Sequence, residues 1–117
     1  MLFPATAMAD LTRLFKALSD ETRLSMLRLL LPGELCVCEG MEALSISQSR
    51  ASRNLGILKT VGLVQDRRKG QWVYYSIDQD TIASYPRLLE FLEENLGRGG
   101  VGTKRRTRKE TREAVRL

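Results

Sequence analysis

The chain has 117 residues, 43% of them apolar, two cysteines, no histidine and a formal charge of +5. That length holds one domain around one modest core, and the lack of imidazole removes the commonest general base and metal ligand, so no enzyme is expected. The charge is uneven: residues 97–117 carry eight basic side chains against two acidic ones, while residues 1–96 sit at −1, which divides the chain into a domain, 1–96, and a flexible basic tail, 97–117.

No secretory layout opens the chain, and its apolar stretches, residues 29–31 beside Pro32 among them, are far too short to cross a bilayer, so a cytoplasmic protein without membrane contact is expected. In a reducing compartment two cysteines one residue apart are packing residues, a metal site or a redox pair rather than a structural disulfide.

Leu11, Leu14, Phe15 and Leu18 recur at helical spacing, and Leu24, Leu27 and Leu31 repeat the stripe after Ser19, which is read as the N-cap of the second helix. Pro32-Gly33 ends that helix. A short helix is expected over residues 34–44, with Glu39 and Glu42 as surface charges. Residues 45–47 form a turn, and a further helix capped by Ser47 runs to about Val61. Its inner face is Ala51, Leu55 and Leu58, leaving Gln48, Ser49, Arg50, Ser52, Arg53 and Asn54 outward. Short polar and basic side chains of that kind donate to phosphates and to base edges in a major groove.

Gly62 closes the helix. Residues 63–69 and 71–77 then read as two strands joined at Lys69-Gly70, with Arg67, Arg68 and Lys69 at a basic tip and Trp72, Tyr74 and Tyr75 as packing residues. A last helix starts between residues 78 and 86, and its Leu88, Leu89, Phe91, Leu92 and Leu96 cover more than one narrow stripe. So wide an apolar surface needs a partner, and with the first helix it predicts a dimer interface. The fold class expected is mainly α with a small β-hairpin, a winged helix-turn-helix, homodimeric through its first and last helices.

Three words of the sequence carry a resemblance. Residues 18–24 (LSDETRL) with 27–30 (LRLL), residues 34–39 (ELCVCE), and residues 47–55 (SQSRASRNL) continue through 62–64 (GLV) to 67–75 (RRKGQWVYY). In that order and spacing they closely resemble the ArsR/SmtB family of metal-responsive repressors, arsenical branch, over roughly residues 10–95. The resemblance implies a homodimer that binds double-stranded operator DNA without a cofactor and releases it when trivalent arsenic or antimony occupies Cys36 and Cys38. Many relatives carry His where this chain has Asn54, and Asn can still pair with adenine. The arsenical repressors have a third cysteine three residues after the second, where this chain has Met41, a residue more at home in a core and at best a weak third ligand. Organoarsenicals, which need only two thiolates, therefore become serious inducers.

Positions i and i+2 of a regular helix point about 200° apart, so Cys36 and Cys38 are expected to chelate only if the start of their helix unwinds. A thiol-redox-sensing repressor, a DNA-binding module whose cysteines only pack, and a thiol enzyme stand as alternatives. The last of these lacks a histidine base, a Cys-x-x-Cys pair and a βαβ pattern.

Overall fold

The computed structural model describes residues 5–97, so the basic tail after Gly97 lies outside the described residues. In chain order come α1 (Ala5–Leu18), α2 (Glu21–Leu30), β1 (Leu35–Cys36), α3 (Val37–Leu44), α4 (Gln48–Thr60), β2 (Val64–Lys69), β3 (Trp72–Ile77), α5 (Gln79–Ala83) and α6 (Leu88–Leu96). This is a winged helix-turn-helix. The helix-turn-helix is α3, a turn through left-handed Ser45, and α4; the wing is the β2–β3 hairpin, whose turn uses Gly70 at φ 61°.

The core forms where the inward stripes of α2 and α4 meet. Met26, Leu27, Ala51, Leu55 and Leu58 are fully sequestered there, and each large one is worth about 1.5–3 kcal/mol in buried apolar surface. Leu63 and Val64 carry that core into the sheet. On α2 the buried set is Met26, Leu27 and Leu30, with Leu24 and Leu31 only half-buried at the margin of the expected stripe.

Four local expectations need correction. Asp20, not Ser19, caps α2: its carboxylate accepts the Arg23 N–H at 3.0 Å, while the Ser19 hydroxyl turns back to the Lys16 carbonyl and closes α1 instead. The segment expected as one helix over 34–44 opens as a strand, because Leu35 and Cys36 pair antiparallel with Tyr75 and Tyr74 and give a three-stranded sheet ordered β1-β3-β2. The last helical region is two helices, broken at Pro86 and Arg87; proline disfavours helix in the residue before it, and Arg87 is left-handed at φ 67°. Trp72 is exposed rather than packed, since it pairs with Lys69 at the hairpin tip while β1 reaches only Tyr74 and Tyr75 on the other edge of β3.

Met8 and Phe15 of α1 and Phe91 of α6 are exposed, as a dimer interface built on those helices requires. No helix among the described residues is long and apolar enough to cross a membrane.

Candidate thiol site and nucleic-acid interface

The sheet correction decides the geometry of the two cysteines. Cys36 has extended backbone (φ −76°, ψ 146°) and stands at the N-cap of α3, while Cys38 is the second helical residue. The chain turns between them, and their sulfurs lie 2.8 Å apart. The 200° divergence expected of a regular helix therefore does not apply, and one ligand atom can reach both sulfurs without unwinding α3.

The surroundings hold that turn in place. Glu39 is buried, not a surface charge, and its carboxylate accepts the Cys36 backbone N–H at 2.8 Å, the glutamate half of a capping box. Glu42 is exposed as expected. Gly40 lets the first turn of α3 lie against α2: a Cβ there would stand 3.3 Å from the Met26 sulfur and 3.5 Å from a Leu35 methyl. Met41 follows Cys38 by one turn on the same side of the helix and packs half-buried against the core. Among the described residues no group of three or more His, Cys, Asp or Glu side chains could hold a metal ion.

Burial, then the hydrogen bond and charge of Cys36 and the charge of Glu39, push the Cys38 thiol up to about 11. It is therefore a neutral S–H at physiological pH. Alkylation of Cys38 by iodoacetamide, followed by peptide mass spectrometry, should climb about tenfold per pH unit from roughly pH 8 to 10 because only the thiolate reacts. A plateau reached by pH 9 would contradict this environment.

On α4 the Ser47 hydroxyl accepts the Arg50 N–H at 3.1 Å and fixes the helix start. Gln48, Ser49, Arg50, Ser52 and Arg53 are exposed along one side. Asn54 is not: it is 4% exposed, its Oδ1 accepts from Arg23 Nη1 at 3.0 Å and its Nδ2 donates to the Arg50 carbonyl at 2.9 Å. Asn54 therefore points inward, not outward as expected, and an adenine could pair with it only by breaking that network. Arg50 also donates to the Thr22 hydroxyl at 3.0 Å, tying the exposed side of α4 to the start of α2.

At the wing Arg68 and Lys69 are exposed. Arg67 is exposed too, but its Nε and Nη2 donate to the two carboxylate oxygens of Glu34 at 2.5 and 2.8 Å, and its guanidinium lies 4.9 Å from the Tyr74 ring centroid.

This arrangement of thiol strand, helix-turn-helix and basic wing can be set beside known proteins. The profile of bacterial regulatory proteins of the arsR family matches residues 20–66, from the cap of α2 into the wing. The arsenical resistance operon repressor of Escherichia coli is 50% identical over 79 residues, which cover 67% of this chain and 68% of that one. The chain belongs to the arsR family of bacterial regulatory proteins. An arsenic resistance transcriptional regulator of Pseudomonas putida is 53% identical over 64 residues, 54% of this chain. The chain spans half the length of that relative and 58% of a second regulator from the same organism.

Solved structures carry a similar fold. HlyU from Vibrio cholerae superposes at a TM-score of 0.65 with 34% identity, covering 78% of this chain and 96% of its own. The homodimeric winged helix-turn-helix DNA-binding domain of a possible ArsR-family regulator from Mycobacterium bovis gives 0.66 with 31% identity, covering 85% and 92%.

Within this arsR-family frame, three residues with no expected role in the site organise it. They are Glu39 beneath the thiols, Arg23 between α1 and α4, and Glu34 against the wing. For Asn54 and Arg23 the signal lay in the spacing. Asn54 is the i+3 member of the Ala51, Leu55, Leu58 stripe, and a polar residue on an inward stripe asks for a buried partner.

Proposed function

We propose that the protein is a dimeric DNA-binding transcriptional repressor that releases its operator when a trivalent arsenical, or antimony in the same oxidation state, binds Cys36 and Cys38. In this reading Gln48, Ser49, Arg50, Ser52 and Arg53 face the major groove, and Arg67, Arg68 and Lys69 reach flanking phosphates. The faces of α1 and α6 pair two subunits. The observation that carries the sensor half is the 2.8 Å approach of two sulfurs held by strand and helix cap.

The neutral Cys38 thiol favours this class of ligand. A hydrated organoarsenic(III) is a neutral dihydroxide, R–As(OH)2. Each thiol replaces one hydroxide, the S–H proton leaves on that hydroxide as water, and two As–S bonds replace two As–O bonds with no net proton released and no change of oxidation state. A divalent cation instead has to displace the Cys38 proton into solution, against a thiol held neutral. Arsenite itself keeps one hydroxide after two exchanges, with the Met41 thioether as a weak third donor at best. The same neutral thiol makes Cys38 a poor starting point for oxidation, whose reactive species is a thiolate.

The test is fluorescence anisotropy of the full chain on duplex DNA selected from random sequence, in phosphine reductant so that no small dithiol competes. Specific binding reversed by stoichiometric phenylarsine oxide is expected. No sequence preference over bulk DNA contradicts the repressor, and preference that phenylarsine oxide leaves intact contradicts the sensor.

A further inference from the structure

One row of residues crosses the sheet from the thiol site to the wing. Cys36 on β1 stands opposite Tyr74 on β3, and Tyr74 stands opposite Arg67 on β2. The Arg67 guanidinium lies over the Tyr74 ring, and its two donors are taken by Glu34, two residues before Cys36. The strand that presents the sensing sulfur thus also holds a wing arginine by its charged end. Arg68 and Lys69, one and two residues further along the tip, are open to solvent.

We propose that Glu34 is a positioning residue for the wing: it latches Arg67 to the thiol strand, and the latch closed by an occupied thiol site withholds Arg67 from DNA. This rests on the reading of Cys36 and Cys38 as the inducer site and says how occupancy reaches the DNA surface. An arginine fully paired with a carboxylate brings no net charge to a phosphate, and the carboxylate repels it. Binding DNA with this part of the wing requires the guanidinium to leave Glu34. A ligand bonded to both sulfurs ties β1 to the first turn of α3 in the converged geometry seen here, the same geometry in which the latch is closed. Inducer and DNA then compete for the position of one strand. Glu34 is 35% exposed on its side chain and Arg67 54%, so the latch is a weak pair and easily exchanged, as a switch contact has to be.

The test compares wild type with Glu34→Gln, which keeps an oxygen acceptor and removes the charge, and with Arg68→Gln as the unlatched control. Three quantities are read: DNA affinity, its salt slope, and the phenylarsine oxide concentration that half-releases DNA, with adduct formation checked by intact mass. For Glu34→Gln, affinity should rise about threefold to fivefold per subunit, the size of an exposed pair. The slope of log affinity against log salt should steepen by up to about 0.9 per wing, because one more cation meets phosphate. Half-release should need several-fold more phenylarsine oxide although the adduct still forms. Arg68→Gln should lose affinity and keep the wild-type release ratio. If wild type releases and Glu34→Gln matches it in affinity, salt slope and half-release, the latch is wrong while the thiol reading stands. If wild type forms no adduct or is not released, the reading beneath the latch fails instead.

Discussion

Arg23→Ala is expected to destabilise the protein by about 2–4 kcal/mol, a lowering of the thermal midpoint by roughly 10–20 °C in a domain of this size. The Arg23 side chain is only 15% exposed and serves three elements at once. Its Nε donates to the Ala17 carbonyl at 2.7 Å and its Nη2 to the Lys16 carbonyl at 3.2 Å, satisfying acceptors at the end of α1. Its Nη1 donates to Asn54 Oδ1 at 3.0 Å on α4. Truncation leaves the Ala17 carbonyl and a buried amide oxygen without their donor, and that desolvation cost exceeds the worth of any single hydrogen bond. Arg28→Ala, on the exposed side of the same helix, is the control and should stay within about 0.5 kcal/mol. Calorimetry at one fixed protein concentration separates the two, since dimerisation makes the midpoint concentration-dependent. Equal midpoints for Arg23→Ala and Arg28→Ala would show that the network is decorative. Because Asn54 also holds the Arg50 carbonyl, the Arg23 variant should lose DNA affinity at temperatures where it is still folded.

The second large effect concerns ligand preference. With two thiols and no third cysteine, phenylarsine oxide should release DNA at a concentration at least tenfold below that of arsenite, because its carbon already fills the third position on arsenic. Zinc should not release it in the same range. The pH dependence follows from the proton count. Exchange of As–OH for As–S at a neutral Cys38 thiol releases no proton, so the Cys38 contribution to the half-release concentration of phenylarsine oxide should be flat from pH 6 to 8, well below its value of about 11. A ligand that has to deprotonate Cys38 would instead tighten by about tenfold per pH unit through that thiol alone. Equal potency of arsenite and phenylarsine oxide would point to a third protein donor, and Met41→Ala would then identify or dismiss the thioether.

Much of this molecule is legible in its sequence, for reasons that differ by element. The stripe of α4 and its Ser47 cap follow from spacing and hydrogen-bonding chemistry that act within a few residues, and the hairpin follows from β-branched and aromatic runs about a glycine. Cys36 escaped because a two-residue strand has no periodicity of its own; it exists only because β3, nearly forty residues later, offers an edge. Glu39 looked like a surface charge because one residue's polarity says nothing about the backbone N–H it will cap. Asn54 looked outward because its polarity was read ahead of its spacing, and its partner Arg23 is thirty-one residues away. Glu34 and Arg67 are thirty-three apart and meet only once β1 has joined the sheet. What the sequence left open in the site is therefore what long-range pairing decides, and that pairing turned a divergent cysteine pair into a convergent one.

The central claim is that these two sulfurs are the switch. Cys36→Ser/Cys38→Ser replaces each thiol by a smaller hydroxyl that keeps the α3 start and leaves every DNA-facing residue in place. Titrating phenylarsine oxide into the complexes of wild type and this double variant with the same selected duplex tests it most directly. Wild type should dissociate as one arsenic binds per subunit. The variant should bind the duplex within about threefold of wild type, since neither substitution changes a side chain proposed to meet DNA, and stay bound throughout the titration. Release of the variant at the wild-type concentration would contradict the account.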